Sequence, residues 1–165
     1  MARRPLSFLV TDLVGRSGAH RDVTGTANLH LEVGSALVDG PVALTARLES
    51  LPDGVLVRGR VRARAQLECN RCGVGWETDV DSDLVHLLTD TPDEDGYRVA
   101  ADGYVELEPL VRDEVATSLP LAPVCRPECA GLCPVCGTDL NTAPCEGHGE
   151  AEASPFAALK KLFDG

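Results

Sequence analysis

Aromatic residues are scarce in this chain, at 4% of its 165 residues. Because the hydrophobic content is an ordinary 44%, the core must be built mainly from valine, leucine and alanine. Histidine is also rare, and the four histidines are scattered without an H-E-x-x-H or related pattern. We therefore expect a non-enzymatic protein with no small-molecule substrate.

No stretch is long and apolar enough to span a bilayer, and the first residues lack the apolar run of a signal peptide. We therefore expect a cytoplasmic protein without membrane contact. In a reducing compartment the seven cysteines favour metal binding over disulfides. Their odd number agrees, since disulfides alone would leave one thiol unpaired.

An excess of positive charge is absent too, since the formal net charge is −11. This argues against simple coating of nucleic acid, because phosphate contacts need lysine and arginine. The charge is unevenly distributed, however. Residues 72–114 contain 13 acidic residues against two arginines, whereas residues 58–71 contain five arginines against one glutamate. Any partner would meet a polarised molecule.

What the chain does have is a cysteine-rich segment, with five of its seven cysteines between positions 125 and 145. The sequence C-P-V-C-G at 133–137 has the form of a zinc knuckle, in which two thiolates three residues apart hold one metal from a tight turn. Zinc prefers four ligands in a tetrahedron. The candidates are Cys125, Cys129, Cys133 and Cys136, with Cys145 or His148 as a replacement for one of the first pair.

Apolar residues alternate with polar ones from Val23 onward, which predicts half-buried strands. The clearest strand precedes a turn at Cys69–Cys72, and its polar face carries Arg58, Arg60, Arg62 and Arg64. The next strand carries acids on the same face. A two-residue turn at Asn70 and Arg71 would place each of these arginines opposite an acid. A self-neutralised surface ladder and an RNA-binding stripe are both compatible with this pattern.

Residues 107–119 carry an apolar stripe typical of a packing helix, with Pro109 in the first turn. Near the end, Ser154-Pro155-Phe156 predicts a second, short amphipathic helix, which would dock on its own domain or on a partner. The predicted fold is α+β: an antiparallel sheet or partly open barrel, a packing helix and a zinc-knuckle appendage. Its parts would be an N-terminal strand and loop (1–22), the sheet and helix (23–121), the cysteine-rich segment (122–148), and a linker with the terminal helix (149–165).

Four motifs together resemble the bacterial and chloroplast YceD family. They are L-E-C-N-R-C-G at 67–73, D-E at 113–114 followed by L-P-L at 119–121, G-L-C-P-V-C-G-T-D-L-N at 131–141, and P-F-A-x-L at 155–159. The resemblance spans the chain from about Val23 onward. It implies a non-enzymatic protein needed for accumulation of large-subunit (23S) ribosomal RNA, and hence a role in ribosome assembly. A lone Cys145 followed by His148 departs from many relatives, which have a closely paired cysteine there.

The pair Cys69 and Cys72 has three interpretations. It could complete a bridging four-cysteine site with Cys133 and Cys136, it could form a turn that contacts RNA or protein through Asn70 and Arg71, or it could be a redox pair. Redox pairs usually open a helix, where the dipole lowers the thiol pKa, whereas this pair lies at a strand turn.

Two functions follow from these observations. The chain could be an assembly factor that engages large-subunit rRNA through the arginines at 58–71. Alternatively, it could be a zinc-stabilised acidic adaptor for a basic ribosomal protein, with the terminal helix as its anchor.

Overall fold

A computed structural model describes residues 4–89, 96–145 and 147–148. These residues form seven strands and one helix in this order: β1 (Ser7–Leu9), β2 (His20–Val33), β3 (Ala36–Leu51), β4 (Gly54–Glu68), β5 (Gly75–Thr89), β6 (Tyr97–Arg98), β7 (Tyr104–Glu106) and α1 (Glu108–Ser118). The structure is therefore mostly sheet with one packing helix. The predicted short terminal helix that Ser154-Pro155-Phe156 would open lies outside the described residues.

The main sheet has five strands in the order β2-β3-β4-β5-β6 and curls into a half-barrel. The first three pairings are antiparallel, as the alternating sequence predicts, and β6 joins β5 in parallel. The register between β3 and β4 shifts between Leu37 and Ala43, beside Gly40 and Pro41. Because such a bulge bends a strand and increases its twist, it contributes to the curl. This confirms the partly open form of the sheet.

The core lies on the concave side of the sheet and is built from the residue types that the composition predicts. The strand residues that are fully buried there are mainly Val and Leu: Leu29, Val38, Val42, Leu44, Leu48, Val55, Val57, Val61, Leu84 and Leu88. Leu6, Val10 and Leu13, from the predicted N-terminal segment, pack into the same core. The stretch from Leu6 to Leu13 therefore shares its core with the sheet.

The β4–β5 hairpin pairs one pleat away from the simplest expectation. A two-residue turn would place Arg64 opposite Glu77, but the structure places Arg64 opposite Asp79 and Arg60 opposite Asp83. The reason is that the turn is longer: Glu68 pairs with Gly75, so six residues separate the strands. Because the slip is a whole pleat, arginine still faces acid over most of the hairpin.

The two short strands after residue 96 lie on either side of a turn at Asp102-Gly103 but do not pair with each other. β6 extends the main sheet, while β7 pairs with β1 to make a separate two-stranded sheet. The two segments are linked by the isolated bridge between Val99 and Val105 and by a hydrogen bond from the N–H of Ala100 to the carbonyl of Tyr104 at 2.8 Å. β7 thus pairs with β1 and not with β6, because burial of Leu6 and Val10 in the core places β1 alongside β7.

Helix α1 confirms the packing helix expected at 107–119 to within one residue at each end. Leu110, Val111 and Val115 are buried against the sheet, and polar contacts fix the helix in place. Ser82 of β5 donates to Glu114 at 2.5 Å, and the hydroxyl of Tyr97 donates to Asp113 at 2.6 Å. The chain leaves the helix at Leu119, where the backbone is extended, and passes to the cysteine-rich segment.

In the part of the chain that the structure describes, no helix has the length and apolar character needed to cross a membrane.

Candidate metal centres

The turn between β4 and β5 presents two thiols on one side. The N–H of Cys69 donates to the carbonyl of Val74, and the N–H of Gly73 donates back to the carbonyl of Cys69, each at 2.9 Å. The N–H of Arg71 points at the sulfur of Cys69, 3.4 Å away. Two backbone bonds therefore hold a compact loop in which Cys69 and Cys72 are close and a sulfur accepts from the backbone.

The segment after α1 is bound to this turn by backbone hydrogen bonds. The N–H of Asn70 donates to the carbonyl of Pro123 at 2.9 Å. The N–H of Cys125 lies 3.4 Å from the sulfur of Cys69. The carbonyl of Arg71 accepts from the N–H of Leu132 at 2.9 Å. Residues 123–132 are thus held against this turn by hydrogen bonds.

Gly131 is required at the point where this segment passes closest to the turn. Its φ is +77°, and a Cβ added there would lie 2.9 Å from the carbonyl oxygen of Arg71. An L side chain would therefore be strained and would collide with backbone. The glycine allows the backbone to turn between Cys129 and Cys133.

We call the first group of ligands the hairpin cluster: Cys69, Cys72, Cys125 and Cys129, whose sulfurs all lie within 4.8 Å of one another. The sulfur of Cys72 is 3.7 Å from that of Cys125, and the sulfur of Cys69 is 3.9 Å from that of Cys129. A tetrahedral ion with metal–sulfur distances of about 2.3 Å separates its sulfurs by about 3.8 Å. The hairpin cluster can therefore hold a metal ion with little rearrangement.

We call the second group the knuckle cluster: Cys133, Cys136, Cys145 and His148, with ligand atoms that again lie within 4.8 Å of one another. The sulfurs of Cys136 and Cys145 are 3.8 Å apart. The Nε2 atom of His148 is 3.1 Å from the sulfur of Cys133 and 2.9 Å from that of Cys145. This cluster can also hold a metal ion.

Local backbone bonds build the knuckle cluster. The N–H of Cys133 donates to the carbonyl of Thr138 at 2.8 Å, and the N–H of Gly137 donates to the carbonyl of Cys133 at 2.9 Å. The hydroxyl of Thr138 also contacts the sulfur of Cys136 at 3.1 Å. The predicted tight turn under the two sulfurs is present.

The surroundings of the sulfurs change their proton affinity in opposite directions. Burial raises the pKa of Cys69, but backbone N–H groups of Cys125, Arg71 and Cys72 outweigh it and lower the pKa to about 6. Backbone N–H groups of Cys136 and Val135 lower the pKa of Cys133 to about 7. Burial together with the neighbouring thiols raises the pKa of Cys125 to about 12. Each cluster thus contains a sulfur prepared to be a thiolate, the form that binds metal.

The structure groups the ligands in a way that the sequence leaves open. Cys125 and Cys129 join Cys69 and Cys72, not Cys133 and Cys136, and the latter pair is completed by Cys145 and His148. The bridging site of Cys69 and Cys72 with Cys133 and Cys136 is likewise not formed. The physical reason is that the chain leaving α1 first reaches the β4–β5 turn and only then folds back on itself. Seven cysteines and His148 make two complete sets of four, a count that could have indicated two sites.

The arginines considered as RNA or partner contacts lie on the exposed, convex face of the sheet. Three of them are paired with acids of β5: Arg60 with Asp83 at 2.8 Å, Arg62 with Asp81 at 3.2 Å and Arg64 with Asp79 at 3.4 Å. Arg58 lies opposite Val85 and next to Arg47, and it has no carboxylate partner among the described residues. The convex face therefore carries a self-neutralised ladder with one free guanidinium at its end.

Asn70 and Arg71 are also engaged within the chain. The side-chain oxygen of Asn70 accepts from the hydroxyl of Ser35. The guanidinium of Arg71 donates to the carbonyls of Pro127 and Cys129 at 3.1 and 3.0 Å. Arg71 therefore holds the segment of Cys129 against the turn, and Asn70 attaches the turn to Ser35 between β2 and β3, although both residues remain exposed.

Asn141 is a site residue that the sequence analysis did not single out. Its side-chain oxygen accepts from the N–H of Ala130 at 2.9 Å, and its side-chain nitrogen lies 3.6 Å from the sulfur of Cys129. The same nitrogen donates to Asp139 at 2.7 Å. Asn141 lies between Cys136 and Cys145 in the sequence but contacts the hairpin cluster, so it connects the two groups. The feature of the sequence that could have indicated this role is its position as the last residue of the motif at 131–141.

Comparison with known proteins places these features in a family. The sequence profile described as "Large ribosomal RNA subunit accumulation protein YceD" matches residues 57–163, a range that includes every cysteine. No solved structure matches the chain significantly.

Individual relatives agree with that match. An uncharacterized protein of Mycobacterium leprae is 35% identical over 97% of this chain and 77% of its own length. An uncharacterized protein of Mycobacterium tuberculosis is 34% identical over 96% of this chain and 82% of its own length. The maize (Zea mays) protein "Large ribosomal RNA subunit accumulation protein YCED homolog 1, chloroplastic" is 42% identical over 38% of this chain and 22% of its own length. The chain therefore belongs to the YceD family of large ribosomal RNA subunit accumulation proteins.

Proposed function

We propose that this protein is a non-catalytic factor of the cytoplasm that supports accumulation of large-subunit (23S) ribosomal RNA by binding that RNA, a ribosomal protein, or both during assembly. The observation that carries the proposal is the family match over 57–163. The same range contains the β4–β5 hairpin, helix α1 and both clusters. The family match therefore covers both candidate metal clusters and the elements that position them.

The proposed cofactor is zinc. Thiolate and imidazole ligands in sets of four are the donors that zinc prefers in structural sites. The sulfur separations of 3.7–3.9 Å match a zinc tetrahedron. Zinc would supply cross-links between chain segments, and the residues around it supply N–H donors to the sulfurs and hold the backbone turns.

The same ligand sets support the proposal that the protein is not an enzyme. A catalytic zinc site keeps one position open for water or substrate, whereas four protein ligands close the coordination sphere. His86 lies 3.8 Å from Glu114 of helix α1 and packs edge-on against Tyr97. Its contacts are those of a packed side chain that helps to join α1 to the sheet.

Direct RNA contact would use the convex arginine face. The three ion pairs there are exposed, with 50–67% of each arginine side chain accessible. Because exposed pairs add little stability, a phosphate can replace a carboxylate at small cost. Arg58 has no carboxylate partner to displace among the described residues, so we expect an RNA phosphate to bind it first.

The cellular test is depletion of the protein. Large-subunit rRNA should fall relative to small-subunit rRNA and recover when the wild-type gene is supplied. An unchanged ratio in cells shown to lack the protein would contradict the proposed function.

The RNA-binding test compares full-length variants in filter binding at several salt concentrations. Arg58→Glu and the double change Arg60→Glu/Arg62→Glu should weaken binding to large-subunit rRNA and reduce its salt dependence. Arg16→Glu, an exposed arginine in the loop before β2, is the matched control and should bind as wild type. Equal loss in all variants would indicate non-specific charge effects.

The second candidate, an acidic adaptor for a basic ribosomal protein, is favoured by the net charge of −11 and by the ion pairing of the arginine ladder. In that case the Arg60→Glu/Arg62→Glu variant would bind as wild type. Deletion of residues 155–165 would instead abolish binding to the ribosomal protein. The two sets of variants therefore separate the candidates.

A further inference from the structure

The two clusters differ most in the length of chain that each one closes. In the hairpin cluster, Cys72 and Cys125 are 53 positions apart and Cys69 and Cys129 are 60 positions apart, yet their sulfurs nearly touch. In the knuckle cluster, Cys136 is nine positions from Cys145, and Cys133 is 15 positions from His148. One cluster is non-local and the other is local.

The hairpin cluster also lies against the folded sheet. Cys69 and Cys129 are each only 3% exposed, and Cys69 lies two positions after the core residue Leu67. The N–H of Glu68 donates to the carbonyl of Ser35 at 2.9 Å, in the β2–β3 turn. A ligand set of this kind assembles only when β4, β5 and the chain beyond α1 are in place. Metal binding and folding of the whole described unit are then linked.

The knuckle cluster is attached to the remainder by few bonds. Its internal backbone bonds join residues 131–143, and its link to the sheet is the bond from Leu132 to Arg71 together with the contacts of Asn141. Cys136 is exposed and Cys145 is half-buried. These four ligands can gather in a short stretch of chain without the sheet.

We propose that the protein binds two zinc ions with different roles. The ion in the hairpin cluster, held by four sulfurs, joins the β4–β5 hairpin to the segment after α1 and stabilises the whole described fold. The ion in the knuckle cluster, held by three sulfurs and one imidazole, orders only residues 133–148 and exchanges more readily. Each thiol that binds releases its proton to solvent. The inference rests on the proposed function only for zinc as the metal, and it requires no ribosomal partner.

The test is native mass spectrometry and thermal unfolding of the full chain, in wild type and in two matched double variants. Wild type should carry two zinc ions. Cys72→Ser/Cys125→Ser and Cys136→Ser/Cys145→Ser should each carry one. The first variant should lower Tm by on the order of 10 °C, and the second should leave the Tm of the sheet, followed by far-UV circular dichroism, within about 3 °C of wild type.

Stepwise removal of zinc from wild type keeps the test decisive if the first variant does not fold. Under a chelator the first ion should leave with the sheet signal unchanged, and the second should leave only as the sheet signal is lost. Loss of both ions in one step, equal shifts of Tm in the two variants, or a single ion in wild type would each overturn the inference. Two ions with this asymmetry, found in a protein whose depletion leaves rRNA unchanged, would support it and refute the ribosomal role.

Discussion

The side-chain amide of Asn141 donates to the sulfur of Cys129 across 3.6 Å. The donor belongs to the chain stretch of the knuckle cluster, and the acceptor is a ligand of the hairpin cluster. The same side chain accepts from the guanidinium of Arg126 at 2.7 Å and from the N–H of Ala130 at 2.9 Å. Asn141, which belongs to the chain stretch of the knuckle cluster, thus bonds to three groups around the hairpin cluster. These bonds fix the position of the two clusters relative to each other.

Asn141→Ala should therefore weaken metal binding without removing a ligand. Groups that orient metal ligands typically contribute about 10–100-fold to metal affinity, and we expect a loss of about 10-fold. Zinc release to a chromogenic chelator measures it. Asn28→Ala is the matched control, because Asn28 is exposed on β2 and makes no side-chain hydrogen bond among the described residues. Release that is equally fast in both variants would remove the orienting role of Asn141.

Gly59 lies in the middle of β4 at a place without room for a side chain. A Cβ there would be 2.4 Å from the carbonyl oxygen of Thr45 and 2.6 Å from the Cβ of Ala46. Gly59→Ala should lower the free energy of unfolding by about 1–3 kcal/mol, the usual cost of overpacking, as measured by urea denaturation. Gly75→Ala is the control: its Cβ would have only an ordinary contact at 3.7 Å, so stability should be unchanged. Similar effects at both positions would contradict the tight contact at Gly59.

Arg60 bridges two acids of β5, with Asp81 at 3.3 Å and Asp83 at 2.8 Å. Arg60→Glu would place a third carboxylate between them and should lower Tm by about 2–4 °C in low salt, with a smaller effect in high salt. Adding Asp83→Lys should restore part of the loss. Arg58→Glu is the comparison, since it would put a carboxylate beside Arg47 and should not destabilise. Equal destabilisation by both changes would show that charge pairing is not the cause.

Tyr97 should make stability depend on pH at the alkaline end. Burial, followed by the hydrogen bond to Asp113, raises the pKa of Tyr97 to about 12, above the value of about 10 expected in the unfolded chain. The unfolded state therefore loses its proton first. The contribution is fully present below pH 10 and is lost as the pH rises toward 12.

Urea unfolding of wild type and Tyr97→Phe between pH 8 and 12 tests this. The difference between the two proteins should shrink or reverse above pH 10, because phenylalanine has no proton to lose. Parallel curves across the whole range would mean that Tyr97 does not titrate differently in the folded protein.

The sequence predicts the strands and the helix well because each depends on a short repeat. Alternation of Val or Ala with Arg along β4 identifies both the strand and its buried face, and the stripe around Leu110 and Val115 identifies α1. The pairing register depends instead on the turn, and a turn that carries two metal ligands is longer than a minimal hairpin. That single property accounts for the one-pleat slip.

The grouping of the ligands could not be read from spacing. Cys125 and Cys129 are only eight and four positions from Cys133 in the sequence, but they lie with Cys69 and Cys72 because the extended chain after Leu119 runs across the end of β4. Likewise, Asn70 and Arg71 look like exposed contact residues in the sequence, and their polar groups are used inside the hairpin cluster. Both facts depend on the meeting of distant segments, which no local pattern records.

The family match begins at Val57, within β4. Thirteen of the 26 buried side chains in the core of the described residues come before that position, in the segment before β2, in β2 and β3, and at the start of β4. The stretch that is most recognisable between species is therefore shorter than the stretch that must fold together, in agreement with mycobacterial relatives that align over 96–97% of the chain. The candidate metal ligands all lie after Val57, whereas half of the buried side chains of the core on which they are positioned lie before it.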